Sequence, residues 1–120
     1  MANCPSALWT AVTHVTDIPE GVSIADTVTD PFNYRRLLAL AEVHARIGVP
    51  GGAREHSGLH GGPGDTGHCP ILHNGTTVTF VRIPDGVRFD VRAAASLDVA
   101  RLRSQSRSRA EAMLPYWVTN

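Results

Sequence analysis

Lysine is absent from this 120-residue chain, cysteine occurs only twice, and acidic and basic residues balance at 11 each. Each scarcity removes a class of function. A phosphate-binding loop needs its Lys-Ser/Thr pair, and none follows the glycine-rich run Gly61-Gly62-Pro63-Gly64-Asp65, where no helix start is predicted either. Zero net charge offers no footprint for nucleic acid and no polybasic patch for a membrane surface, so neither partner is expected. No apolar run approaches the ~20 residues of a membrane span. The opening Met1-Ala2-Asn3-Cys4-Pro5 lacks the charged and apolar regions of a signal peptide, which predicts a cytoplasmic location. Two cysteines are too few for a disulfide scaffold, and a reducing cytosol favours free thiols or metal ligation. An all-arginine basic set with abundant Ala, Val and Gly suggests a GC-rich bacterial genome. The length fits one domain with a modest core, residues 1–120.

What the chain does have is a repeat. Cys4-Pro5 and Ile18-Pro19-Glu20-Gly21-Val22 reappear 65 positions later as Cys69-Pro70 and Ile83-Pro84-Asp85-Gly86-Val87. At the same offset Arg36 falls on Arg101, Leu37 on Leu102 and Ala45 on Ala110. The spacing predicts two copies of one unit, about 4–47 and about 68–114, related by an approximate two-fold axis and joined by a connecting loop over 48–67.

Each copy reads as strand, turn, strand, helix. Thr- and Val-rich Trp9 to Asp17 and Val22 to Val28 suit strands around a Pro19-Glu20-Gly21 turn, with proline setting φ and glycine accepting positive φ. Asp30-Pro31 is a helix start, N-cap followed by proline in the first turn, for a helix running to Ile47. The second copy predicts strands over Thr76 to Arg82 and Val87 to Ala93, then a helix from Leu97 to about Leu114 capped by Ser96. The expected fold is α+β: a duplicated ββα repeat (ββαββα), with a four-stranded antiparallel sheet and both helices on one face. Alternation along the strands places Val78, Phe80, Val87, Phe89 and Val91 under the helices, matched in the first copy by Thr13, Val15, Val22, Ile24 and Asp26. Asp26 is thus an acid on an apolar face and needs a hydrogen-bonding partner. The helix stripes are Tyr34, Leu37, Leu38, Ala41 and Ala45, and Val99, Leu102, Ser106, Ala110 and Met113. His44 falls on the flank of its stripe, where a histidine can serve the last carbonyls of the helix.

Histidines cluster around the loop, as His56-x3-His60-x7-His68-Cys69-x3-His73. Imidazole nitrogens and thiolates are ligands for copper, zinc or iron. His68, Cys69 and His73 are the central candidates. Cys4, His56, His60 and His44 are candidates to complete the shell, Cys4 because a two-fold would bring it to Cys69. A thiolate at Cys69 activated by a neighbouring histidine is chemically conceivable, but no carboxylate to orient such a pair is obvious beyond Asp65 or Asp26. The arginines at 101, 103, 107 and 109 share no helical face and read as solvated surface with occasional ion pairs.

Two functions fit these residues. The preferred one is a small soluble metal-binding protein with mixed His/Cys ligation at the inter-repeat loop; an open coordination position would make it a small metalloenzyme. The rival is a metal-free module that binds a small molecule or a partner on the polar open sheet face (His14, Thr16, Thr77, Thr79, Arg88, Asp90), paired across a homodimer.

The segment from Ile18-Pro19-Glu20-Gly21-Val22 through Thr29-Asp30-Pro31 to Leu37-Leu38 and His44 resembles a group of small bacterial proteins. They pair a DGV-strand-DP-helix unit with its own copy, often carry a Cys-Pro pair and histidines in helix and loops, and are associated with metal or haem handling. The resemblance implies the duplicated ββα fold and favours a metal over an enzyme.

Overall fold

The computed structural model describes residues 4–7, 11–47, 69–71, 73 and 75–112. The connecting loop 48–67, with His56 and His60, lies outside the described residues, as does His68. The elements are β1 (Val12–Ile18), β2 (Gly21–Thr27), α1 (Pro31–Ile47), β3 (Thr76–Ile83), β4 (Gly86–Ala93) and α2 (Val99–Ala112). A short 3₁₀ turn, Pro5–Ala7, precedes β1. The four strands form one antiparallel sheet in the order β1-β2-β4-β3. No described helix is long and apolar enough to cross a membrane.

Hairpin register follows from the tight turns. Ile18 pairs with Gly21 and Ile83 with Gly86, leaving two residues to turn in each hairpin. The residues that take positive φ are Glu20 (68°) and Asp85 (62°), not the glycines expected to do so. The glycines are needed for a different reason. A Cβ on Gly21 would overlap the Val91 carbonyl, and one on Gly86 the Asp26 carbonyl, each on the neighbouring central strand. Gly21→Ala and Gly86→Ala should each destabilise by roughly 2 kcal/mol or more, because backbone rather than a flexible side chain must move aside; urea titration would read the loss. An unchanged midpoint in either would place the close approach elsewhere.

The inward face is the expected one. Val22, Ile24, Val87, Phe89 and Val91 are fully buried, and Leu37, Ala41 and Leu102 of the helices pack in the same cluster. Thr16, Thr77 and Thr79 on the other face are exposed. The helices cross over: α1 packs on β3 and β4, whereas α2 packs mainly on β1 and β2. Each hairpin is therefore covered chiefly by the helix of the other half. Arg103 reinforces this by donating to the carbonyls of Ile18 (2.8 Å) and Gly21 (3.1 Å) at the first hairpin turn, and Arg107 pairs with Asp17 at 2.7 Å.

The α1 bounds match expectation, and the cap is as read: Asp30 accepts from the Asn33 backbone N–H at 3.0 Å. The second helix begins differently. Residues Ser96–Asp98 form a 3₁₀ turn, α2 starts at Val99, and Ser96 caps nothing; the N-cap position of the turn is Ala95, without a side-chain bond. Without an Asp-Pro start, the backbone closes the turn itself through Asp98 N–H to Ala95 O. Leu97, expected inside the helix, is 93% exposed.

Candidate functional site

Asp26 sits among apolar neighbours at 0% exposure, as its position on the inward face requires. Thr13 donates to it at 2.6 Å across the β1–β2 pair, and Ser6 donates at 3.0 and 3.1 Å to its two oxygens. Burial pushes its carboxyl up to about 7, against the lowering effect of these hydrogen bonds. Asp26 thus holds the N-terminal 3₁₀ turn onto the sheet, and Cys4 lies two residues before Ser6.

Cys4 and Cys69 form a disulfide, with Cα atoms 5.8 Å apart and both residues buried. Their separation of 65 residues equals the repeat offset. The two cysteines expected to meet do so, but in a covalent bond where free thiols or metal-bound thiolates were expected. In this oxidised form neither sulfur is a thiolate, so Cys69 is neither nucleophile nor ligand. His44, from the last turns of α1, is fully buried rather than on the helix flank. Its Nδ1 donates to the Leu40 carbonyl at 2.8 Å, and its Nε2 lies 4.0 Å from the Cys69 Sγ. A backbone carbonyl on one ring nitrogen fixes the tautomer in which the other faces the sulfur.

His73 belongs to a second cluster. Its Nε2–H donates to the Pro70 carbonyl at 2.7 Å and lies 3.1 Å from the Ser106 hydroxyl, while its Nδ1 accepts from Arg109 at 3.0 Å. Burial, with the nearby Arg109 charge adding to it, lowers its pKa to about 4, so the ring is neutral at pH 7. Thr76 Oγ1 donates to the His73 carbonyl and completes the anchorage. Arg109, read from sequence as solvated surface, is thus a buried ring's partner and also reaches the Cys69 carbonyl at 3.4 Å. Ser106 was visible as a polar residue on an apolar stripe; its burial reflects this bond to Pro70 and His73. Among the described residues, no three His, Cys, Asp or Glu side chains converge on a metal-sized centre.

The arrangement therefore has two parts: a buried disulfide with an imidazole turned toward it, and a His–Arg–Ser cluster one short segment away. No protein-family model, curated protein or solved structure matches the chain.

Proposed function

We propose that the protein is a small metal-binding protein whose site opens on reduction, with Cys4, Cys69 and His44 as its ligands and the disulfide as its closed, metal-free form. The supporting observation is that His44 Nε2 lies 4.0 Å from the sulfur of Cys69, itself bonded to Cys4; these are donors of the kinds that zinc and copper take, and reduction must part the two sulfurs before the three can converge on an ion. Two equivalents of a thiol reductant supply two electrons; the sulfurs take up two protons, and the metal then displaces those protons as it binds. A fourth position is left for water or for His68, the residue before Cys69 in the chain. Iron is a further candidate ion. In a reducing compartment such as the cytoplasm the pair would be held ready for metal, and in an oxidising one it would be shut.

The finer reading of the fold is part of the same proposal: the halves are copies of one ββα unit, and the disulfide ties equivalent points across their axis. Support comes from register. Every β1–β2 pair, shifted by 65, is a β3–β4 pair, as with Val12↔Thr27 and Thr77↔Arg92. Cross-half bonds correspond too: Val28 N–H to Asp85 O, and Ala93 N–H to Glu20 O.

Titration with Zn²⁺ and Co²⁺ in the presence of a phosphine reductant tests the metal reading. The reduced protein should bind one equivalent, with Co²⁺ giving thiolate charge-transfer absorption, and the oxidised protein none. Cys69→Ser should abolish the band and His44→Ala should weaken binding at least about tenfold. Failure of the reduced wild type to bind copper, zinc or iron, or binding indifferent to Cys69→Ser, would remove the proposal.

A further inference from the structure

The segment that leads into α1 lies against the second hairpin turn. Val28 N–H donates to the Asp85 carbonyl at 2.8 Å, and Asp85 holds φ at 62° in its two-residue turn, so the two segments are fixed side by side. Here there is a cavity of about 470 Å³ with Val28, Pro31 and Tyr34 as its apolar wall, Arg35 contributed by α1 and Asp85 by the turn. At the offset of 65, Val28, Tyr34 and Arg35 fall on Ala93, Val99 and Ala100, so the start of α2 has neither the ring nor the cation at these places.

We propose that this cavity binds an apolar α-amino acid as its zwitterion, with Asp85 taking the ammonium group and Arg35 the carboxylate. The inference goes beyond the metal reading and shares no residue with it.

Two opposite charges line one cavity and neither is neutralised by the protein. Among the described residues, ion pairs join Arg88 and Arg92 to Asp90, Arg101 to Asp98, and Arg103 and Arg107 to Asp17; the side chains of Arg35 and Asp85 enter no ion pair or hydrogen bond. The third charge in the lining, Asp30, accepts from the Asn33 backbone N–H at 3.0 Å and from Asn33 Nδ2 at 2.8 Å, so it is directed at the helix N-terminus. A lone ammonium would leave Arg35 beside the ligand's apolar body, and a lone carboxylate would do the same to Asp85. A ligand with one charge of each sign complements both. The planar guanidinium suits the two oxygens of an α-carboxylate, and the Val28, Pro31 and Tyr34 wall suits an apolar side chain. The volume falls within the range of small organic ligands.

The test is a titration of the ¹⁵N-labelled, disulfide-intact protein, with chelator, at pH 7 and fixed ionic strength. The probes are L-phenylalanine and L-leucine, then phenethylamine and 3-phenylpropionate, which keep the ring of phenylalanine but one charge each. Saturable shifts should appear at the amides of 32–35 and 85–86 with at least one amino acid, and the single-charge probes should bind at least about tenfold more weakly. Arg35 and Asp85 are exposed, so the fold should persist in Arg35→Gln and Asp85→Asn, and asparagine tolerates the positive φ of the turn. Each variant should weaken amino-acid binding roughly tenfold, Arg35→Gln without altering phenethylamine binding and Asp85→Asn without altering that of 3-phenylpropionate. Absence of saturation by both amino acids, equal affinity for a single-charge probe, or affinity unmoved in either variant would overturn the site. Because the oxidised protein is used without metal, failure here leaves the metal reading standing, and the reverse holds.

Discussion

Removing the Cys4–Cys69 crosslink, by Cys4→Ala/Cys69→Ala or by a phosphine reductant with chelator present, should lower the unfolding free energy by about 4 kcal/mol. The bond closes a loop of 65 residues that contains the whole 48–67 segment, and an unfolded chain so closed has far fewer conformations to regain. It also ties the segment before β1 to the segment before β3, in a fold where each hairpin depends on the other half's helix for its cover. For a 120-residue domain the loss is a large share of a typical 5–15 kcal/mol stability. Paired urea curves, oxidised and reduced, would measure it. Zinc added to the reduced wild type should restore part of the loss through ligand linkage, but not to the double alanine variant. Coincident curves for oxidised and reduced protein would mean that the crosslink contributes nothing.

The second large effect is a pH profile in which two buried groups oppose each other. Asp26 titrates near 7 in the fold against 3.8 for an ordinary carboxyl, so between those values the folded protein keeps a proton that the unfolded chain releases. Its contribution is present at low pH and is lost as pH rises toward 7, on the order of 4 kcal/mol in all. His73 runs the other way. It titrates near 4 in the fold against 6.5, so the unfolded chain holds the extra proton and stability is lost as pH falls from 6.5 toward 4, on the order of 3 kcal/mol. In wild type the two slopes should nearly cancel between pH 4 and 6.5. Asp26→Asn should expose the His73 slope, with stability rising with pH over that range, and His73→Gln should expose the Asp26 slope, with stability falling. Denaturant titrations at half-unit pH steps would show the opposed slopes. Parallel profiles in wild type and both variants would mean that neither group titrates as its burial demands.

Much of the fold was legible because its signals are local. Asp30-Pro31 and the apolar stripe set α1, Pro19-Glu20 and Pro84-Asp85 set two-residue turns, and alternation put Asp26 inside with Thr13 across the pair. The start of α2 was misplaced because Ser96 carries the composition of a cap but not its geometry. The turns were located correctly and explained wrongly: Gly21 and Gly86 are small for a neighbouring strand that local reasoning does not see. The candidate site was legible in its residues but not in its bonding. Composition brings Cys4, Cys69, His44 and His73 into view, yet whether two sulfurs bond each other or an ion depends on where their backbones stop and on the redox state.

The order of the elements, the strand faces and the buried acid could all be read in the amino-acid sequence. These follow from residue periodicity, proline and glycine placement and the need to pair a polar group away from water. Only the tertiary structure decided which helix covers which hairpin, that the two cysteines stand 5.8 Å apart and bonded, and that His44 and His73 serve different clusters. Those outcomes rest on contacts between residues 25 to 85 positions apart, such as Cys69 with His44 and Arg103 with Ile18. Such contacts form only when helices cross over the sheet, and no local propensity encodes that crossing.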